Sequence, residues 1–151
     1  MAGKRGYFGI GIYHPKFDEN VGGLWRSAHA LGAAFIFTIG ARYKHQPTNT
    51  TKAHRHIPLF EYSTYTCFSS SKPRDCAVIG VEMAADSLPL SEFVHYERSI
   101  YLLGAEDAGL DDVIHLCDGT IEIASTYCLN VATAGAIVMY DRSLGREHGI
   151  R

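Results

Sequence analysis

Apolar runs alternate with polar breaks along this chain, and the pattern predicts strands and helices in turn. Residues that favour strands fill Tyr7–Ile12, and Ala34–Ile39 is a continuous apolar run between two glycines. Continuous apolar runs are typical of strands that are covered on both faces. Three further strands are predicted on the same grounds, at Cys76–Glu82, Ser99–Leu103 and Thr120–Ile123.

Helical spacing separates these runs. Apolar residues recur every three or four positions from Val21 to Leu31, so a helix is predicted there, with Asn20 as its cap and Gly32 as its end. Leu129–Asp141 predicts a second long helix, and Leu110–Cys117 a short one. The pattern at Leu59–Phe68 fits a short strand or a short helix, whereas Ala41–Ile57 has no periodicity and is predicted to be a loop.

The alternation predicts one α/β domain over residues 1–151, with a mostly parallel sheet flanked by helices on both faces. Ligands of such folds bind beyond the carboxyl ends of the strands. Chemistry is therefore expected in the loops that follow Ile12, Ile39, Glu82, Leu103 and Ile123.

Composition narrows the functional classes. The 151 residues carry a net charge of -2, so nucleic-acid binding would need a local basic patch. The four cysteines form no C-x-x-C pair and are predicted to be reduced thiols. No segment resembles a signal peptide, and no apolar run approaches the ~18 residues of a membrane span. We therefore expect a soluble, cytoplasmic protein without a membrane partner.

Common ligand motifs are absent or incomplete. A G-x-G-x-x-G fingerprint after the first strand fails because position 14 is histidine, and neither a P-loop nor a G-x-S-x-G elbow occurs. His54 and His56 lack the cysteine or carboxylate that would complete a zinc set, so no metal is predicted. The same loop is either a plain surface loop or an RNA-binding one that uses its cations, Arg42, Lys44, Lys52 and Arg55.

Three segments depart from an ordinary core pattern: N-V-G-G-L-W-R at 20–26, L-L-G-A-E-D-A-G-L at 102–110, and a strand, polar loop and small-residue helix at 121–136. Each has a simple structural explanation when taken alone, namely a surface arginine, a tight turn and a close helix contact. Their joint order along the chain is the informative feature.

Together they resemble the three-motif pattern of the SpoU/TrmH-type RNA ribose 2'-O-methyltransferases of the SPOUT superfamily, over nearly the whole chain. The resemblance implies a C-terminal deep trefoil knot, which is an exception to the general rule against knots. It also implies a homodimer and an S-adenosylmethionine (SAM) site formed by the loops of the knot.

The resemblance assigns site residues as well. Asn20, Arg26, Glu106 and Asn130 fall at catalytic positions. The positions expected around the cofactor are Val81, Leu103, Gly104, Ile121, Ile123, Cys128 and Leu129. The chain departs from the family pattern at Ala105 and Ala124, where proline is common, and at Cys128, where serine is common.

The expected reaction is methyl transfer from SAM to a ribose 2'-hydroxyl of RNA, with tRNA favoured and its anticodon loop as a target. Family descriptions favour the motif-one arginine as the base, yet a guanidinium with a pKa above about 12 is a poor base. We therefore expect Arg26 to clamp an RNA phosphate and polarise the hydroxyl. The alternatives are an rRNA substrate, methylation of a base, and a noncatalytic RNA-binding scaffold.

Overall fold

The computed structural model describes residues 6–40, 56–105, 107 and 109–145. The predicted RNA-binding residues Arg42, Lys44, Lys52 and Arg55 lie outside the described residues, as does the predicted catalytic Glu106.

Seven strands form one sheet in the order β3-β2-β1-β6-β4-β7-β5, and every strand pair is parallel. The mostly parallel sheet is thereby confirmed. The strands are β1 (Tyr7–Tyr13), β2 (Phe35–Ile39), β3 (Leu59–Tyr62), β4 (Ala77–Val81), β5 (Leu88–Pro89), β6 (Arg98–Gly104) and β7 (Gly119–Glu122).

The glycines of β1 have a packing role. A Cβ on Gly9 would lie 2.3 Å from the ring of Phe35, and one on Gly11 would lie 2.5 Å from that of Phe37. Because both phenylalanines of β2 are buried against β1, any larger residue at these glycines would collide with an aromatic ring. The G-x-G of this strand therefore serves sheet packing rather than nucleotide binding.

Helices cover both faces of the sheet, as predicted. On one face α1 (Asp18–Leu31) and α3 (Val131–Ser143) pack against each other and against β1 and β6. On the other face α2 (Tyr65–Ser71) lies over a second apolar core, which includes Phe37, Phe68 and Leu102.

The prediction that Asn20 caps α1 is wrong. The helix begins two residues earlier, at Asp18, and Phe17 holds the cap position without a side-chain hydrogen bond. Asn20 is buried in the first turn, where Oδ1 of its side chain accepts a hydrogen bond from Nδ2 of Asn130. The predicted end is confirmed, because Gly32 adopts a left-handed conformation with φ of 86°.

Three other boundaries differ from the prediction. Leu59–Phe68 contains both alternatives, the strand β3 and the start of α2. Leu110–Cys117 forms turns and a single 3-10 turn at Ile114–Leu116, because buried Leu110 and Val113 hold this segment against the sheet. The two-residue β5 is too short to produce a periodic pattern.

Candidate functional site

A cavity of about 320 Å³ opens where β4, β6 and β7 end at the same edge of the sheet. The loops after these strands and the start of α3 form its walls. The lining residues are Val81, Glu82, Met83, Leu103, Gly104, Ala105, Asp107, Gly109, Asp111, Glu122, Ile123, Ser125, Cys128, Leu129, Val131 and Ala134. Its size falls within the range of about 300–1,000 Å³ typical of small-molecule sites.

The lining combines apolar walls with negative charge. Val81, Leu103, Ile123, Leu129 and Val131 supply apolar surface that could hold a flat, weakly polar group. Four carboxylates also line the cavity, those of Glu82, Asp107, Asp111 and Glu122. This arrangement favours a ligand that carries positive charge.

The turn after β6 depends on two glycines in close contact. A Cβ on Gly104 would lie 2.5 Å from the backbone carbon of Gly109, and Gly109 has a φ of +56°. A Cβ on Gly109 would in turn lie 2.4 Å from Oε2 of Glu82, which accepts a hydrogen bond from the backbone N–H of Leu110 at 2.8 Å. The glycine spacing of the second motif thus fixes the shape of this wall.

The third motif is fixed by Asn130. Its Oδ1 accepts hydrogen bonds from the backbone N–H groups of Ala132 at 2.9 Å and Thr133 at 3.2 Å, so it caps α3. Its Nδ2 donates to Oδ1 of Asn20 at 2.9 Å. One amide therefore orients α3, joins it to α1 and positions the cavity residues Val131 and Ala134.

Most predicted cofactor residues meet in this cavity. Ile121 is the exception, because it is fully buried in the core beneath the cavity. Those that form part of the lining are Val81, Leu103, Gly104, Ile123, Cys128 and Leu129.

The predicted catalytic residues are divided. Asn20 and Asn130 pair beside the cavity, whereas Arg26 lies further along α1 with an exposed side chain and is not part of the lining. Within this monomer Arg26 is thus available to a bound molecule rather than engaged in the cavity wall.

Sequence analysis missed the acidic lining. Glu82 and Glu122 come at or directly after the ends of β4 and β7, and Asp107 and Asp111 follow β6. The rule that ligands bind beyond the carboxyl ends of parallel strands could have found all four. The motif comparison drew attention to glycines and small residues instead.

One ionisable group near this edge of the sheet has a shifted pKa. Burial, followed by the charge of Asp112, raises the pKa of Tyr13 at the end of β1, so this phenol stays protonated at neutral pH. No cluster of three or more metal-ligating side chains occurs within the described residues.

The four cysteines are free thiols, as predicted. In the described part of the chain no helix is long and apolar enough to cross a membrane.

The chain belongs to the SpoU rRNA Methylase family, whose model matches residues 8–140. This confirms the predicted family. A curated relative is the mouse (Mus musculus) tRNA (guanosine(18)-2'-O)-methyltransferase TARBP1, which is 29% identical over 136 residues. The match covers 81% of this chain but only 8% of that relative.

Solved structures share the fold. The SpoU methyltransferase AviRb from Streptomyces viridochromogenes, in complex with the cofactor AdoMet, superposes with a TM-score of 0.78 at 24% identity. That match covers 96% of this chain and 60% of AviRb. A structure described as giving insight into the 2-OH methylation of C/U34 on tRNA has a TM-score of 0.80 at 24% identity. This match covers 94% of this chain and 98% of the chain in that structure.

The cavity fits the cofactor of the family, SAM, also called AdoMet. SAM joins an adenosine to a cationic sulfonium and an amino acid group. The apolar walls suit the adenine ring, and the carboxylates suit the cationic centres. We therefore find the lining chemically compatible with SAM.

Proposed function

We propose that the protein is a SAM-dependent RNA ribose 2'-O-methyltransferase. The observation that carries the proposal is the cavity at the carboxyl ends of β4, β6 and β7, which unites cofactor residues predicted from all along the chain. When bound, SAM supplies an electrophilic methyl group. The chain's own task is then to hold donor and acceptor in line and to assist removal of the hydroxyl proton.

The residues divide that task. Gly104 and the backbone around Ile123 and Leu129 would hold the adenosyl part, since these residues line the cavity. The Asn20–Asn130 pair keeps α1 and α3 in a fixed relation, which preorganises the site. Exposed Arg26 would clamp an RNA phosphate next to the reacting ribose and polarise its hydroxyl. In this proposal Glu106 orients Arg26.

We favour tRNA as the RNA. The mouse relative is named as a tRNA methyltransferase, and one similar structure concerns position 34 of tRNA, which lies in the anticodon loop. The predicted basic loop with Arg42, Lys44, Lys52 and Arg55 would contact the RNA backbone. An rRNA remains the alternative substrate.

Labelled methyl transfer tests the activity. Purified protein would be incubated with methyl-labelled SAM and fractionated tRNA and rRNA from cells that lack the gene. We expect label in the tRNA fraction, mapped to one nucleotide of the anticodon loop. Label confined to rRNA would show that rRNA and not tRNA is the substrate, and label in neither fraction would contradict the proposed activity.

Calorimetry separates an enzyme from a noncatalytic scaffold, which the departures Ala105, Ala124 and Cys128 keep as the second candidate. The wild type should bind SAM or S-adenosylhomocysteine, and Gly104→Ala should not, because its Cβ would collide with Gly109. Gly119→Ala is the matched control, since its Cβ would lie 3.6 Å from Ile79, an ordinary contact. A wild type that binds neither compound would favour the scaffold.

The proposed enzyme is a homodimer. Ile137, Tyr140 and Leu144 are exposed and follow one another at spacings of three and four, so they form one apolar stripe on α3 and its end. We expect Tyr140→Glu to shift the protein from dimer to monomer in sedimentation velocity. Ser70→Glu, on the opposite face of the sheet, should leave it dimeric. A wild-type monomer at micromolar concentration would contradict this part of the proposal.

The C-terminal knot belongs to the same proposal. The chain from β4 crosses to β5 at the sheet edge and returns to β6, while α3 comes back from β7 to pack on α1. His95 in the returning segment bonds to Asp141 of α3 at 2.8 Å, so the two segments are in contact, as a knot would require. An experimental chain trace whose ends could be pulled straight without a crossing would contradict the knot.

A further inference from the structure

One ion pair spans the mouth of the cavity. Lys16 lies in the loop between β1 and α1, and its Nζ pairs with Oδ2 of Asp107, in the turn after β6. β1 and β6 are neighbours in the sheet, and the N–H of Ala105 donates to the carbonyl of Tyr13 at 3.0 Å. Both side chains are more than half exposed, at 55% for Lys16 and 70% for Asp107. The pair is therefore accessible from solvent.

The charges at this mouth pose a problem for an RNA substrate. A ribose whose hydroxyl reaches the cavity brings its flanking phosphates close to a lining that contains four acidic residues. Like charges repel, so these carboxylates favour a cationic ligand and disfavour the phosphates. Lys16 pairs with Asp107, whose side chain is 70% exposed, and so offsets part of this repulsion where solvent and RNA can reach it.

The other described cations are poorly placed to help. Lys72 and Arg74 precede β4, Arg98 begins β6, and Arg142 bonds to the carbonyl of Glu97, so all four lie toward the amino ends of the strands. The cavity is at the opposite edge. Lys16, by contrast, pairs with Asp107, a residue of the cavity lining.

An aromatic ring accompanies Lys16. Phe17 is 46% exposed, and Nζ of Lys16 lies 5.7 Å from the centre of its ring. A cation next to an exposed aromatic ring is a combination that suits single-stranded nucleic acid, because phosphate and base can be contacted together.

We propose that Lys16 binds an RNA phosphate near the reacting ribose, in addition to the phosphate contact proposed for Arg26, and that Asp107 holds Lys16 in position until it binds that phosphate. Phe17 provides the adjacent stacking surface. The proposal rests on the proposed function, because it presumes an RNA substrate. It adds a substrate-binding residue outside the three motifs.

Substitutions that remove the positive charge of Lys16 or the negative charge of Asp107 test this proposal. RNA binding would be measured by fluorescence anisotropy with a labelled anticodon stem-loop, without cofactor and over a range of salt. Lys16→Gln should weaken binding about fivefold at low salt and lower the slope of log affinity against log salt by about 0.7–0.9. Asp107→Asn should strengthen binding, because it removes a negative charge and the ion pair that competes with the phosphate for Lys16. Lys16→Arg should stay close to wild type.

The matched control is Lys72→Gln, which removes the same charge at the far edge of the sheet, where Nζ of Lys72 donates to the carbonyl of Cys76. If the ion pair were only a tether between loops, Lys16→Gln and Asp107→Asn would weaken binding alike. That result, or a Lys16→Gln variant equal to Lys72→Gln, would overturn the inference.

Failure of the two proposals can be distinguished. A wild type that binds RNA but transfers no methyl group contradicts the proposed function. If Lys16→Gln then still weakens RNA binding and Asp107→Asn still strengthens it, the Lys16 site is supported. A wild type that binds RNA and methylates it, with Lys16→Gln unchanged, contradicts only the inference. Failure of the wild type to bind RNA contradicts both.

Discussion

Asn130 has two structural roles at once, as a helix cap and as a long-range hydrogen-bond donor. Its side chain caps α3 through two backbone N–H groups and also donates to Asn20, which lies 110 residues away in sequence. The sequence motifs pointed to both asparagines, whereas the helical spacing wrongly predicted Asn20 as the cap of α1. A capping pattern is local, whereas the bond that Asn20 makes is long-range, and only the folded chain brings its partner close.

Substitution of Asn130 should separate the two duties. Asn130→Ala removes the cap and the bond to Asn20, so we expect it to lower the free energy of unfolding by about 1–2 kcal/mol in urea. Asn130→Asp retains a good cap and should stay within about 0.5 kcal/mol of wild type. It loses the amide donor, however, so its methyl transfer should fall. Equal stability of both variants would contradict the capping role.

The buried thiol of Cys117 makes the free energy of unfolding depend on pH in the alkaline range. Burial, followed by the charge of Asp118, raises the pKa of its thiol from the ordinary 9.0 to about 11. The folded state thus favours the neutral thiol, and this contribution is complete below pH 9 and is lost as pH rises toward 11. We expect the stability advantage of wild type over Cys117→Ala, measured by urea unfolding, to shrink between pH 9 and 11. A constant difference over that interval would show that the thiol pKa is not raised.

Among the elements, the sheet strands were the most predictable part. β1, β2, β4 and β6 follow from apolar runs, because a strand buried on both faces leaves a local mark in the sequence. The sequence did not predict β5 or the boundary between β3 and α2 within Leu59–Phe68, because these segments are too short to show a periodic pattern. The strand order was also beyond local pattern, because it depends on pairings such as β1 with β6, which are distant in sequence.

The contact between α1 and α3 depends on Gly135. A Cβ there would lie 2.5 Å from Cδ1 of Leu24 and 3.1 Å from Cδ1 of Leu103, and both leucines are buried. We expect Gly135→Ala to cost about 1–3 kcal/mol of stability through overpacking. It should also disturb the cavity, which Leu103 lines.

Gly23→Ala is the control on the facing helix. Its Cβ would lie 3.4 Å from that of Ala132, an ordinary contact, and alanine favours helix by up to about 1 kcal/mol. This variant should therefore be as stable as wild type or more stable in thermal unfolding. If Gly135→Ala were equally stable, the close approach of the two helices would be wrong.

At the scale of the whole molecule, the two edges of the sheet have different roles. The carboxyl edge holds the cavity, while the amino edge holds a buried polar network that joins α3 to β6 and the segment before it. Nδ1 of His95 bonds to the hydroxyl of Tyr101, and Nε2 bonds to Asp141 at 2.8 Å. Arg142 bonds to Ser99 and Tyr101. The sequence did not single out this network, because the bonds that α3 makes in it join residues 41 to 46 positions apart.

That network should be a major source of stability. Asp141→Ala leaves a ring nitrogen of buried His95 without its carboxylate partner, and leaving a buried polar group without its partner costs about 1–3 kcal/mol. Asp86→Ala, at an exposed loop position, is the control and should change stability by less than about 0.5 kcal/mol. Similar urea midpoints for the two variants would contradict a structural role for the network.

The central claim is that this fold methylates a ribose of RNA. The most direct test is to let the protein methylate RNA with labelled SAM and then hydrolyse the product completely with alkali. A 2'-O-methyl group blocks cleavage of the phosphodiester on its 3' side, so we predict that the label is recovered in an alkali-resistant dinucleotide. Label recovered in mononucleotides would place the methyl group on a base and would contradict the account.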